Sequence, residues 1–234
     1  MHFPACFLEL PPETEGRGAA YYLGVERWVA EHLPEDDYLF TWQLQPTVVC
    51  GRNQVVEQEV NVDFCREHGI EIVQRHSGGG AIYADRNNIM VSLVTRDGPV
   101  EPLFREYAAA VAALLTRLGA PCEATGRNDI ELTGGGKVCG NAFYHMPVRD
   151  PRTGRMTHRN IVHGTMLYDT DAELMSHILT PPEEKLRRHG VSSVKARVAT
   201  LKDFLPFGVD ELRRQLREGL TNRSTKIPLN LITL

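Results

Sequence analysis

The sequence predicts an α/β (α+β) domain built on a mixed, largely antiparallel sheet flanked by helices. Three observations predict it. Strand-like and helix-like segments alternate along the chain, with no internal repeat or low-complexity tract. Several strand pairs are joined by links too short for a helical crossover, which favours antiparallel neighbours. The 234 residues suffice for one core, since single domains commonly reach roughly 200–250 residues, so residues 1–234 are expected to form one domain.

In chain order, "GAAYYLGVERWVAEHL" (18–33) has helical apolar spacing and is followed by Pro34, so it predicts an early helix packed on a sheet. "YLFTWQL", "TVVCG", "EIVQR", "AIYAD" and "IMVSLVT" are short, rich in β-branched or aromatic residues, and bounded by Pro, Gly, Asn or Asp; they predict strands. "PLFREYAAAVAALLTRLG" (102–119) carries Ala and Leu at helical spacing and stops at Gly119-Ala-Pro121, a strong helix end. "DIEL", "KVCGNAFYH" and "NIVHGTMLY" return to strand, and "DAELMSHIL" and "GVDELRRQLREGL" to helix.

Lys plus Arg number 26 against 30 Asp plus Glu, a formal charge of −4. That balance excludes a general binder of nucleic acid or membrane surfaces, which needs a basic excess or stripe. The start "MHFPACFLEL" lacks a charged region followed by an apolar run, and no segment approaches ~18 consecutive apolar residues, so neither a signal peptide nor a membrane span is expected. Cys6, Cys50, Cys65, Cys122 and Cys139 are odd in number, widely spaced, and free of zinc-ligand spacing; reduced thiols in a cytoplasm fit this pattern.

The stretch "QRHSGGGAIYAD" (74–85) sets three glycines behind Arg75, His76 and Ser77. Two readings are open: a loop closing around an anion, with the glycines permitting close backbone approach, or a loose hairpin turn between two strands. Further on, "GGGK" before Val138 is no phosphate-binding P-loop, because Glu131 and Val138 stand where a glycine and a Ser or Thr are required. The segment reads as a hairpin with Lys137 opening its second strand, either as a solvated strand end or, if an anion lies beside it, as a functional cation. Asn128 and Asp129 are Asx-turn formers or hard oxygen ligands of the kind Mg²⁺ takes beside a phosphate.

Taken together, "GRNQ" (51–54), "RHSGGGAIYAD" (75–85), "GRNDIEL" (126–132), "KVCGNAFY" (137–144), "HGTMLY" (163–168) and "SVKARVATL" (193–201) follow the order and spacing of lipoate-protein ligases. The sequence resembles that family from about residue 17 to about residue 205. The resemblance implies the fold shared by lipoate ligases, biotin-protein ligases and the catalytic domains of class II aminoacyl-tRNA synthetases. It also implies a two-step reaction: ATP and a free acid, lipoate or octanoate, form an acyl-adenylate that passes to a lysine of a lipoyl carrier domain of the E2-subunit or glycine cleavage H-protein type. By this resemblance Arg75 and Ser77 face the phosphate or carboxylate, and Gly78, Gly79 and Gly80 let the backbone approach. Lys137 binds the reacting carboxylate, with Gly140 and Asn141 in the same strand against the substrate. Asn128 and Asp129 serve nucleotide and Mg²⁺, His163 and Gly164 line the adenylate side, and Lys195 and Arg197 close on the nucleotide. Val48, Ile82 and Tyr83 would wall the acyl tunnel or, taken singly, pack in the core.

The pattern departs from the family at His76, where another arginine is frequent, and at Cys139, where serine is usual. The chain also ends near "PLNLITL" without room for the family's accessory domain. By resemblance it is then a short ligase acting alone, or one needing a second polypeptide. Related octanoyl- and lipoyl-transferases use a cysteine thioester, but their nucleophile positions read "HILTPPEE", without cysteine, and "PCEATGRND", where Cys122 is near. The alternatives to a ligase are therefore such a transferase, with Cys139 or Cys122 as nucleophile, and a non-catalytic lipoyl-binding module. Biotin is disfavoured as the acid, because "RHSGGG" replaces the glycine-arginine repeat of biotin ligases.

Overall fold

The computed structural model describes residues 4–125, 128–149, 153–188 and 194–227. The "GR" of "GRND", Ser193 and "PLNLITL" lie outside them. In chain order the strands are β1 (Ala5–Glu9), β2 (Tyr38–Trp42), β3 (Thr47–Cys50), β4 (Glu71–Gln74), β5 (Ile82–Ala84), β6 (Asn88–Thr95), β7 (Cys122–Thr125), β8 (Asp129–Leu132), β9 (Lys137–Arg149), β10 (Met156–Leu167) and β11 (Thr221–Lys226). The helices are α1 (Ala19–His32), α2 (Val56–Glu59), α3 (Val62–Glu67), α4 (Val100–Leu118), α5 (Ala172–Ile178), α6 (Glu183–Arg188), α7 (Val194–Arg197) and α8 (Val209–Leu220).

An eight-stranded sheet runs β11-β1-β2-β6-β10-β9-β8-β7, antiparallel from β2 to β7 and parallel only at the β11-β1-β2 end. The apolar run "IMVSLVT" lies within β6, and all of β6 is buried because helices cover both faces. Its side chains alternate: Ile89, Val91 and Leu93 join a core with α4 and α8, while Met90 and Val94 join a second core with α1. Helix α4 ends as expected on Gly119 in the left-handed region at φ 118°.

A second sheet of three strands is ordered β4-β3-β5, with β4 parallel and β5 antiparallel to β3. The strands flanking the triple glycine therefore never pair with each other. The hairpin reading of that loop is excluded, because β3 lies between its two ends. No helix among the described residues is long and apolar enough to cross a membrane.

Strands β1, β7 and β11 were not expected from the sequence. β7 and β11 are sheet edges, and β11 ("TNRSTK") is almost wholly exposed, so it carries no apolar alternation to read. Polar and basic residues on such an edge discourage pairing with another chain.

The turn from α1 into β2 is held by one buried side chain. Arg159, 2% exposed, donates to the carbonyls of Thr95, Leu33, Pro34 and Asp36 at 2.8–3.5 Å. We expect Arg159→Ala to leave these carbonyls unsatisfied and to lower the unfolding free energy by about 3 kcal/mol or more, measured by urea denaturation.

Candidate active site

The triple-glycine loop is organised by an arginine turned inward. Arg75, 5% exposed, donates through Nε to Ser77 Oγ (2.9 Å), through Nη1 to the Val49 carbonyl (2.8 Å) and through Nη2 to the carbonyls of Gly78 and Gly80 (both 2.8 Å). Four donor contacts are thus made inside the protein. The guanidinium curls the loop around itself rather than offering a free fork to an anion, which departs from the role the resemblance implies for it. Burial lowers its pKa to about 10. The loop also lies against the end of β3, where Arg52 N–H donates to the Ser77 carbonyl at 2.9 Å and a Cβ on Gly51 would come within 2.1 Å of the Gly79 carbonyl oxygen.

From Ser77 a line of buried polar groups runs under α1. Ser77 Oγ lies 2.7 Å from His163 Nε2, and His163 Nδ1 lies 3.1–3.2 Å from the Glu26 carboxylate. Ser92 Oγ donates to Glu26 at 2.5 Å and accepts from Trp42 Nε1 at 2.9 Å. The directions follow from Glu26, whose carboxylate only accepts and so takes the Nδ1–H of His163, and from Arg75 and Trp42, which only donate. Ser77 receives from Arg75 and gives its own proton to His163 Nε2. In that tautomer Nε2 carries the lone pair that the Ser77 hydroxyl meets. His163 and Ser92 are register partners across β10 and β6, so the sheet itself brings both beneath Glu26.

Glu26, 3% exposed, is the residue that sequence reasoning missed. Its signal was present: on α1, buried Tyr22, Val25, Val29 and Ala30 mark the core stripe, and Glu26 sits within it. A carboxylate on a core stripe needs a partner.

A cavity of about 200 Å³ opens beside this line. The sheet register describes its floor: Trp42 pairs with Met90, Met90 with Thr165, Thr165 with Gly140, and Gly140 with Asp129. That row crosses four strand spacings, about 19 Å, and passes from apolar side chains to a charged end. Leu23 and Ile82 join the apolar part of the lining.

Lys137 and Arg197 line the charged end of the cavity. Lys137 opens β9 after a glycine turn, and a Cβ on Gly140 would meet its Nζ at 3.0 Å, so the ammonium overhangs the floor. It is no solvated strand end: its side chain is 17% exposed, and burial lowers its pKa, opposed by Asp129 3.7 Å away. Asp129 Oδ2 accepts from Arg197 Nη2 at 2.5 Å, whereas Asp129 Oδ1 is buried with no hydrogen-bond partner among the described residues. The segment carrying Arg197 docks on β9 through Ala199 N–H to the Lys137 carbonyl (2.9 Å) and a parallel bridge between Lys137 and Val198.

Of the residues expected at the site, Arg75, Gly80, Ile82, Tyr83, Asn128, Lys137, Gly140, Asn141, His163 and Arg197 line the cavity, and Asp129 abuts it through its ion pairs. Ser77 lines a neighbouring cavity together with Glu26 and His163, and His76 lies there beside Tyr144. Gly78 and Gly79 shape the loop without lining the main cavity. Gly164 makes room beneath it, since a Cβ there would meet Asn141 Oδ1 at 2.3 Å. Val48 faces away into the core around Cys65 and Tyr83, because strand alternation turns Val49 to the cavity instead. Lys195 also lies apart, 60% exposed and paired with Glu173 at 2.5 Å.

Neither candidate thiol is placed to act as a nucleophile. Cys139 is fully buried beside Asn141, and burial raises its pKa to about 12; Cys122 is raised to about 11. The thiolate is the reactive form, so both are inert near neutrality.

Two expectations follow. Gly79 has φ +95°, and an added methyl would come within 2.9 Å of Arg75 Nη2, whereas a Cβ on Gly78 meets nothing within 4 Å. Gly79→Ala should lower stability by about 1 kcal/mol or more, and Gly78→Ala by less than about 0.5 kcal/mol, in matched urea titrations. In the folded protein at mildly alkaline pH, Cys122 and Cys139 should resist a thiol-reactive disulfide, all five cysteines reacting once the chain is unfolded, as peptide mapping would show.

The profile of the lipoyl protein ligase A/B catalytic domain matches residues 19–221. Lipoate-protein ligase LplJ of Bacillus subtilis (strain 168) is 33% identical over 204 residues, which cover 86% of this chain and 58% of that protein. Lipoate-protein ligase 1 of Staphylococcus aureus (strain Mu50 / ATCC 700699) is 32% identical over 196 residues, 82% of this chain and 56% of that one. The chain thus spans a little over half the length of these curated relatives. Among solved structures, a chain from an archaeal lipoylation system, a bi-partite lipoate protein ligase and its E2 lipoyl domain from Thermoplasma acidophilum, is similar with a TM-score of 0.76. That chain is 26% identical, and the match covers 99% of this chain and 91% of that one. The mixed sheet and its helices are therefore those of lipoate-protein ligase structures, and by sequence and fold together the chain belongs to the lipoyl protein ligase A/B catalytic domain family.

Proposed function

We propose that the chain is the catalytic domain of an ATP-dependent lipoate-protein ligase. The observation that carries the reading is the row across the sheet, which leads from Trp42 and Met90 to a half-buried ammonium and guanidinium. An acid with an apolar tail and a carboxylate head, lipoate or octanoate, matches that order. Its tail fills the Trp42–Met90 end and its head meets Lys137. In the first step a carboxylate oxygen of the acid attacks the α-phosphorus of ATP, and pyrophosphate leaves. In the second, the ε-amine of a carrier-domain lysine attacks the acyl carbonyl, and AMP leaves. Lys137 holds a fixed positive charge where the developing oxyanions lie, in surroundings that strengthen it by excluding water.

Asp129 Oδ1, free of hydrogen bonds, and the Asn128 carboxamide oxygen are hard donors that fit Mg²⁺. Bound there, the ion would neutralise polyphosphate charge. Arg197 shields the other oxygen of Asp129 and faces the cavity. The Ser77–His163–Glu26 line orients His163 in the cavity wall.

The names of the relatives support this substrate class, and the likeness to a chain of a bi-partite ligase supports two partners, an E2-type lipoyl domain and a second polypeptide. Five free, buried cysteines support a reducing, cytoplasmic setting. A thioester transferase is disfavoured by the burial of Cys139 and Cys122.

Pyrophosphate release measured with ATP, Mg²⁺ and lipoate or octanoate, with and without a lipoyl domain, tests the proposal. Release dependent on the acid is expected, and no release with any acid would sink the ligase reading. Lys137→Ala should lose more than about tenfold, ~1.4 kcal/mol, and Cys139→Ser should retain activity. Lys137→Met should match or exceed wild-type stability at neutral pH, since it removes a buried charge while Asp129 keeps Arg197. Wild-type stability relative to Lys137→Met should rise with pH from the depressed lysine pKa toward the ordinary value of 10.5, because over that window the unfolded chain binds more protons. A variant that unfolds several degrees early would assign Lys137 a structural role instead.

A further inference from the structure

Away from the cavity, about 27 Å along β9 from Lys137 at some 3.4 Å per residue, three side chains converge from separate segments. His145 comes from β9, His158 from β10, and Asp97 from the turn after β6; their ligand atoms lie within 4.8 Å of one another. The two imidazole rings stack with centroids 4.2 Å apart.

The surroundings prepare the group to ligate. Asn160 is fully buried, and its Nδ2 points to two atoms that only accept, the carbonyls of Arg96 (3.3 Å) and Gly98 (3.2 Å). Its Oδ1 is thereby directed at His145 Nδ1, 2.7 Å away. His145 must hold its proton on Nδ1, which leaves the Nε2 lone pair outward. Metal-bound histidines are oriented in this way, by an acceptor on the other ring nitrogen. Asp97 is fixed similarly: Oδ1 accepts from Gly98 N–H at 2.8 Å, leaving Oδ2 available. His158 makes no hydrogen bond among the described residues and is half-buried against the His145 ring.

We infer that Asp97, His145 and His158 form a binding site for a borderline divalent transition-metal ion, of which Zn²⁺ is the representative. Two imidazoles and a carboxylate select such an ion over Mg²⁺ or Ca²⁺, which prefer oxygen alone. With Zn–N bonds near 2.0–2.1 Å, two ligands on one ion sit roughly 3.3 Å apart. Rotation of His158 out of its stack and a small movement of Asp97 bring the donors to that spacing, with water completing the shell. The bound ion staples the β9–β10 hairpin to the loop between β6 and α4.

The test is isothermal titration of the untagged, metal-stripped chain with ZnCl₂, and in parallel with MgCl₂, joined to thermal unfolding with and without Zn²⁺. One equivalent of Zn²⁺ should bind and raise the unfolding midpoint, Mg²⁺ should do neither, and acidification should weaken binding by protonating the imidazoles. His145→Ala, His158→Ala and Asp97→Ala, each folded by circular dichroism, should lose more than about tenfold in affinity. Co²⁺ substituted for Zn²⁺ should give a d–d spectrum without thiolate charge transfer. Absence of saturable binding, unchanged affinity in His158→Ala, or a thiolate band assigning the ion to cysteine would each overturn the site.

Discussion

The Glu26 carboxylate, buried beneath α1, is the constraint on which the rest of the site depends. A charge in that position is tolerated only when its oxygens are engaged, and here a serine and an imidazole engage them. Through these two the carboxylate ties α1 to the two central strands. Through His163 and Ser77 it reaches Arg75, and Arg75 in turn sets the curl of the glycine loop. A single buried anion thus fixes the orientation of a helix, the tautomer of a histidine and the shape of a loop more than fifty residues away in sequence.

The cavity is a product of strand register. Trp42, Met90, Thr165, Gly140 and Asp129 belong to five strands, yet pairing places them in one row. A slip of one residue in any pair would turn the next side chain to the opposite face. The long β9–β10 pairing, from Met156 opposite Arg149 to Met166 opposite Cys139, makes such a slip costly and so protects the sequence of apolar and charged positions along the floor.

Elements whose signal is local were legible in the sequence. Helix α4 with its Gly119 cap, the strand of "IMVSLVT" and the hairpin before Lys137 all declare themselves through spacing and punctuation. The motif order also brought together Lys137, Asn128, Asp129, His163 and Arg197, which the fold sets around one cavity or against its edge. What escaped were properties set by distant partners. Whether Arg75 faces a ligand or its own loop depends on the carbonyls of Val49, Gly78 and Gly80. Whether Val48 or Val49 meets the cavity depends on which face of β3 the larger sheet covers. The edge strand β11 is defined by its pairing with β1, since its own composition is polar throughout.

The two covers of the cavity differ in the kind of contact that holds them. The glycine loop springs from strands separated by β3 and is gripped by four donor contacts from Arg75 as well as by the Arg52–Ser77 main-chain bond. The stretch 194–199 is held by the Ala199–Lys137 main-chain hydrogen bond and the Lys137–Val198 bridge, by the ion pairs Arg197–Asp129 and Lys195–Glu173, and by Val194 and Val198 packed on the core around Cys65. Ion pairs at exposed positions, such as Lys195–Glu173, weaken with salt, whereas the buried contacts of Arg75 are screened far less, so the two covers answer differently to ionic strength. Displacing 194–199 would withdraw Arg197 from Asp129 and leave Lys137, 3.7 Å away, as the ionic partner of that carboxylate.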